Sequence, residues 1–357
     1  MMNTRDSNIE LARIIAMAMV IVGHFFFHGV QGTVIPSPLS CPKLGIADIT
    51  ILSVSVLCTA GVDLFMLISG FYGIRLRWQS LISFWLLCIF YNAVNLFVNT
   101  PFSEIGLSGV ANVLFISRTP NWFFQGYFWV LLSSPVLNKA IKELDIRALR
   151  CVVMLGTVLV CLSSWRFGNP KGNTALLLMY VYVLGGYIRR EYWFAKVTKG
   201  KALTAYFTIC IAGILVAILV YDVFHKEYGI FFQHNSILVV SMAVCLFLFF
   251  RKCEIRSIWV NACASTVVAA LFIQDVILSG PLYGYVNEMY LNEGLSPHLW
   301  LTIALLTLGV FACAFVVEWP RKKVAGAISN ALSSRLNRHI NLGEILGNER
   351  LRGNKMY

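Results

Sequence analysis

Charge is what this chain has least of. Of its 357 residues only 13% are Asp, Glu, Lys or Arg, while 58% are hydrophobic; soluble domains carry about a quarter charged. That excludes an ordinary water-soluble globular protein. No Cys-x-x-Cys pair occurs. Cys58, Cys88, Cys151, Cys161, Cys210, Cys245, Cys263 and Cys313 sit in or at the ends of apolar segments, Cys253 in a polar loop, and Cys41 alone in another. Such cysteines act as small hydrophobes, and neither a disulfide framework nor a cysteine–zinc site is expected. Long polar stretches are missing too. The longest, 30–48, 100–121 and 279–297, hold about 20 residues each with Pro, Gly and Ser turn signals, too short for a separate soluble domain. No cleavable leader is expected, because the first apolar run is too long, carries internal charge and lacks a small-residue cleavage site. No internal repeat is evident, which counts against inverted-repeat transporter folds.

What is present is a succession of apolar runs, each near the roughly 20 residues a bilayer-crossing helix needs. Ten are legible: 9–30, 49–72, 79–99, 122–141, 150–165, 174–189, 202–222, 234–250, 257–278 and 298–318. The expectation is an all-α, polytopic transmembrane helical bundle of about ten spans. With the N-terminus inside, 23 Lys and Arg fall on the cytoplasmic side and 5 on the other. This imbalance fixes the orientation, and an even span count puts both termini in the cytoplasm. The net charge of +12 then reflects topology and anionic lipid, and no nucleic-acid partner is implied. Residues 1–320 read as the transmembrane domain. In 321–357, Arg321, Lys322, Lys323, Arg335 and Arg338 accompany Val324, Ile328, Leu332 and Leu336 at a spacing of four. That pattern suits a basic amphipathic helix on the inner leaflet.

Polar residues inside such spans are costly and mark pathways or sites. Arg13 and His24 lie eleven residues apart on the first segment, on one helix face and about 16 Å apart along the axis. Asp63 falls at mid-membrane depth on the second, within plausible reach of His24. An unpaired buried carboxylate is expensive, so Asp63 requires a partner. Two readings stand: it orients His24 as a general base, or it caps an interrupted helix and pairs with Arg13. His24 and His28 are spaced i,i+4 as metal ligands on one helix face would be, but His28 sits at the outer helix end with no third ligand evident, so no metal is expected. Trp122, Phe123, Phe124, Tyr127, Phe128 and Trp129 form an outer aromatic belt. Trp122 can also stack on a sugar ring, and Arg118 just before it can contact an acidic sugar or a lipid phosphate. Asp275 and Glu318 are further acids near the polar interior, with Glu318 at a span end.

Taken together, Arg13-x10-His24, the segment GVDLFMLISGFYG over 61–73, and Asn121-Trp122-Phe123-Phe124-Gln125 through Ser134-Pro135-Val136-Leu137-Asn138-Lys139 resemble the acyltransferase 3 family of integral membrane acyltransferases. The motifs concentrate in residues 8–139. Two positions depart from the family pattern. Many members carry Tyr-Leu-Ile-His near the penultimate span, where this chain reads Leu271-Phe272-Ile273-Gln274. The family's Arg-x-x-Arg after the second segment is here Arg75-Leu76-Arg77.

The resemblance implies acyl transfer, usually of acetyl, from cytoplasmic acetyl-CoA to an extracytoplasmic or lipid-linked carbohydrate such as a bacterial surface polysaccharide, at the inner membrane. The residues suit that chemistry. A neutral His24 is a base of the right strength near pH 7, with Asp63 as its partner. Arg13, Arg75 and Arg77 suit the phosphates of the coenzyme. Trp122 and Arg118 lie where a glycan acceptor would bind. The competing reading is a transporter or flippase of lipid-linked sugars that uses the same intramembrane Arg/His/Asp path.

Overall fold

The computed structural model describes residues 6–30, 43–162, 172–226, 229–340 and 342; Cys41 and the tail beyond 342 lie outside the described residues. The described chain is helical throughout, with no strand. The helices are α1 (Ser7–His24, continued by a π-helical stretch Phe25–Val30), α2 (Ile46–Thr59), α3 (Gly61–Tyr72), α4 (Trp78–Asn99), α5 (Leu107–Leu114), α6 (Trp122–Glu143) and α7 (Ile146–Gly156, with π-helical Thr157–Leu162). They are followed by α8 (Ala175–Arg190), α9 (Tyr192–Ala195), α10 (Lys199–Asp222), α11 (Ile237–Arg251), α12 (Ile258–Ala264), α13 (Val267–Leu271, with π-helical Phe272–Ile277), α14 (Ser279–Glu293) and α15 (Pro297–His339).

Among the described residues, five helical stretches are long and apolar enough to cross a membrane: Ser7–Val30, Ile46–Tyr72, Trp78–Asn99, Lys199–Asp222 and Pro297–His339. A sixth, Ile258–Ala264 with Val267–Ile277, is bent by 45°. The bend falls at Ser265 and Thr266, whose hydroxyls donate to the Ala262 and Cys263 carbonyls instead of leaving the helix ladder undisturbed. The four other apolar runs are also helical among their described residues, as α6, α7, α8 and α11. Their starts follow local chemistry: Asn121, Asp145, Thr174 and Ser236 each cap the helix they precede with a side-chain oxygen.

Small residues bring the central helices together, as packing between apolar helices requires. A Cβ on Gly70 of α3 would overlap the Tyr182 carbonyl of α8, and one on Gly185 would overlap the Leu67 carbonyl. At the top of α3, a Cβ on Gly61 would come to 2.5 Å from the Ala16 carbonyl of α1. Helices α1, α3 and α8 thus form a tightly packed centre. Ser7 and Asn8 anchor the foot of α1: the Ser257 amide donates to Ser7 Oγ at 3.0 Å and Asn8 Nδ2 donates to the Phe250 carbonyl at 3.0 Å.

The last helix continues past the end of its apolar run. α15 runs unbroken for 43 residues through Pro320, about 65 Å by helical rise. Its tail lies beside the start of α4, with Gln79 Nε2 donating to Asn330 Oδ1 and Trp78 Nε1 to the Ile340 carbonyl, both at 2.8 Å. Val324, Ile328, Leu332 and Leu336 are all exposed on it. Glu318, expected at an interface from its place at the end of the apolar run, is instead 2% exposed. It pairs with Arg321 and accepts from the Tyr91 hydroxyl at 2.9 Å, which satisfies a charge that would otherwise be costly to bury. At the foot of α7, Arg150 Nη2 lies 2.8 Å from Glu191; this contact holds the Glu191 carboxyl below the usual carboxylate range.

Candidate active site

The geometry centres on the top of α1. His24 closes the α-helical part and is followed at once by the π-helical turn, a local widening common at functional sites. Its Nδ1 lies 3.3 Å from Gln274 Oε1 and 3.5 Å from Asp275 Oδ1, both carried by the π-helical end of α13. Gln274 is fully buried, and its Nε2 donates to the Ile21 carbonyl at 2.8 Å. That contact turns the amide oxygen toward the ring. Two acceptors therefore face Nδ1, which must carry the ring proton, and the lone pair of neutral His24 resides on Nε2. Asp275 is held in turn: Asn121 Nδ2 donates to Oδ2 at 2.5 Å and the Tyr283 hydroxyl to Oδ1 at 3.1 Å. This is the arrangement of a base oriented through one nitrogen by a carboxylate, leaving the other free to take a proton.

Asp63, expected to serve as that carboxylate, does not reach His24. It is fully buried, and neither of its oxygens has a hydrogen-bond partner among the described residues. The physical reason is depth. The close contact of Gly61 with Ala16 sets Asp63 beside the middle of α1, about two turns below His24. Nor does Asp63 pair with Arg13, whose Nη1 lies 3.2 Å from Glu10 one turn earlier. The carboxylate that reaches His24, Asp275, comes from the far end of the chain.

A second polar locus lies on the side of the bundle where α3 ends. Gly73 terminates α3 with φ +77°, a conformation glycine adopts without strain. The turn that follows is clamped by Asn138 and Tyr182. Asn138 Nδ2 donates to the Ile74 carbonyl at 2.7 Å, the Ile74 amide donates to the Tyr182 hydroxyl at 2.8 Å, and that hydroxyl donates to Asn138 Oδ1 at 2.7 Å. The clamp holds Arg75 and Arg77 on the wall of a pocket of about 360 Å³ shared with Ser80, Tyr127 and Leu131. Neither guanidinium makes an ion pair among the described residues. Arg13 Nε is shielded with no hydrogen-bond partner among the described residues. On an open pocket wall, the two guanidinium groups of Arg75 and Arg77, without an ion pair among the described residues, could hold a phosphorylated ligand.

Aromatic rings run from the pocket to the start of α6, next to Asn121. Tyr127 packs on Phe84 and Phe123, Phe123 on Trp122, and Trp122 on His234 at 5.6 Å between ring centroids. Arg118 is exposed and donates to Asn112 Oδ1 at 3.4 Å. Sequence reasoning did not single out His234. It immediately precedes the Asn235–Ser236 pair that opens α11, and its Nδ1 is shielded without a partner among the described residues. Gln274 stood out only as a departure from a motif, and Asn121 only as part of one. Their common signal was a polar residue at the end of an apolar run.

A family model described as an acyltransferase domain, Acyl_transf_3, matches residues 6–319. No curated protein matches the chain, and no solved structure does.

Proposed function

The chain belongs to this acyltransferase 3 family, and on that premise we propose that it is a multi-pass membrane O-acyltransferase. It moves an acetyl group from cytoplasmic acetyl-CoA to a hydroxyl of an extracytoplasmic or lipid-linked glycan, in the inner membrane of a bacterium. The proposal includes ten spans with both termini in the cytoplasm, the basic end of the last helix meeting anionic lipid. The observation that carries it is the His24–Asp275 contact at 3.5 Å with Gln274 behind it.

In the reaction, Nε2 of His24 takes the proton of the attacking hydroxyl as its oxygen adds to the thioester carbonyl. The tetrahedral adduct collapses, the carbon–sulfur bond breaks, and the imidazolium returns its proton to the departing thiolate. Asp275 stabilises the imidazolium, while Asn121 and Tyr283 keep it aimed. Arg75 and Arg77, with Arg13 deeper, take the coenzyme's phosphates. This leaves the pantetheine arm to run along Tyr127 and Phe123 toward Trp122, where the acceptor sugar stacks. Arg118 is assigned to the rim of the acceptor site.

Purified protein in detergent, given labelled acetyl-CoA and a glycan acceptor, tests this without any gradient, so transport plays no part. Wild type should transfer label, and His24→Ala should lose about 10²–10⁴ in rate while keeping its melting temperature. Near-normal turnover in that variant removes His24 from the chemistry.

A further inference from the structure

One turn beyond His24 stands a second imidazole that acid–base catalysis does not use. His28 is exposed, and its ring centroid lies 5.4 Å from that of His24. The i,i+4 spacing suits a metal, and sequence alone offered no third ligand. The fold supplies one: a ligand atom from each of His24, His28 and Asp275 lies within 4.8 Å of the others. Two ligands of a tetrahedral ion with bonds of 2.0–2.2 Å stand about 3.4 Å apart. His24 Nδ1 and Asp275 Oδ1, at 3.5 Å, already have that separation. Only the exposed His28 side chain must swing inward, by about an ångström on the same bond lengths. Outer groups of the kind that steady metal ligands are also in place, with Tyr283 and Asn121 both holding Asp275.

We propose that His24, His28 and Asp275 form a binding site for a divalent transition metal, zinc being the best chemical match, and that its occupancy silences the enzyme. Two imidazoles and one carboxylate favour zinc over magnesium or calcium, which take oxygen ligands. The silencing follows from the ring, and this half of the inference rests on the reading of His24 as the base. A neutral imidazole has one lone pair. Zinc on Nδ1 moves the ring proton to Nε2, and zinc on Nε2 occupies the lone pair itself. Either way nothing remains to take the proton of an acceptor hydroxyl. Because His28 is exposed, the site is open to metal from the medium.

The test is calorimetry with zinc chloride on the full chain, purified with a histidine-free tag and stripped with chelator, alongside acetyl transfer at rising zinc. One zinc should bind per chain with roughly micromolar or tighter affinity, magnesium should give no saturable heat, and transfer should fall over the same zinc range. His28→Ala leaves zinc-free turnover unchanged, weakens zinc binding at least tenfold, and shifts the inhibition curve by the same factor. Asp275→Asn, followed by binding alone, weakens it as well. Absence of saturable binding, equal affinity in His28→Ala, or faster transfer with zinc would each overturn the proposal. If the protein transfers no acetyl at all, the assignment of function fails while the calorimetry still decides the metal site.

Discussion

Gln274 connects His24 to the helix that carries it: its Nε2 donates to the Ile21 carbonyl at 2.8 Å, and its Oε1 faces His24 Nδ1 at 3.3 Å. Ile21 and His24 are one turn apart on α1, so a single buried amide fixes both the local backbone and the ring. The family motif that this stretch resembles has His at that position, and an imidazole has the same two-sided capacity, one nitrogen donating and the other accepting. Gln274→Leu leaves the Ile21 carbonyl buried and unpaired, a loss of about 1–3 kcal/mol, and frees the His24 ring to rotate. The expected outcome is a lower melting temperature together with reduced turnover per folded molecule. A variant that melts early yet turns over normally would restrict Gln274 to a structural role.

Asp275 and Asp63 invite a direct comparison, since each can be replaced by a nearly isosteric amide. Asp275→Asn removes the charge beside Nδ1 and offers an amide that can force the wrong ring tautomer, so turnover should drop about 10²-fold or more. Asp63→Asn, two turns below His24 and without a hydrogen bond among the described residues, should leave turnover within about tenfold of wild type, the lower bound usual for losing a catalytic group being larger. Label transfer measured on the two variants side by side decides it. The reverse ranking would return Asp63 to the orienting role that its sequence position suggested.

The Arg75–Arg77 turn makes its own prediction. Both guanidinium groups lie on one pocket wall, and charge-assisted bonds to phosphate are worth about 1.5–3 kcal/mol. Arg75→Ala and Arg77→Ala should each weaken coenzyme A binding by roughly tenfold, allowing for screening at an exposed site. Arg13→Lys should weaken it too, by loss of the planar fork. Calorimetry with coenzyme A, and with pantetheine as a ligand lacking the nucleotide phosphates, separates the contributions. Equal losses for both ligands would mean that these arginines act on something other than phosphate.

Most of the helical architecture was legible because hydropathy and capping residues are local signals. The run read as 79–99, a helix over Trp78–Asn99 in the structure, required nothing beyond neighbouring residues. Arg13, His24, Arg75 and Arg77 were likewise visible, because a charge in or beside an apolar run is conspicuous. The pairing of His24 was not. Its partners lie 250 residues away or more, and one sequence does not say which of two intramembrane acids shares its depth. That was decided by Gly61, whose missing side chain lets α3 approach α1 beside Ala16 and sets Asp63 low. The continuation of α15 through Pro320 was hidden for a related reason: a proline reads as a boundary, whereas neighbouring contacts to Trp78 and Gln79 carry the helix on.

The contact between α3 and α8 gives the last prediction, because it links packing to the arginine-lined pocket. A methyl group at Gly70 would occupy the place of the Tyr182 carbonyl, and backbone cannot move aside as a flexible side chain can. Gly70→Ala should therefore push the helices apart and cost about 1–3 kcal/mol, the usual range for overpacking. Gly309→Ala is the matched control, since nothing lies within 4 Å of a Cβ there and alanine favours helix by up to about 1 kcal/mol over glycine. Tyr182 also holds the Ile74 amide at 2.8 Å, so displacing α8 should loosen the turn bearing Arg75 and Arg77. Gly70→Ala is thus expected to lower both the melting temperature and coenzyme A affinity, while Gly309→Ala lowers neither. Thermal unfolding and calorimetry on the same preparations check the pair. A Gly70→Ala protein with wild-type melting would mean that the two backbones do not meet as closely as this, whereas early melting with unchanged coenzyme affinity would uncouple the helix contact from the arginine turn.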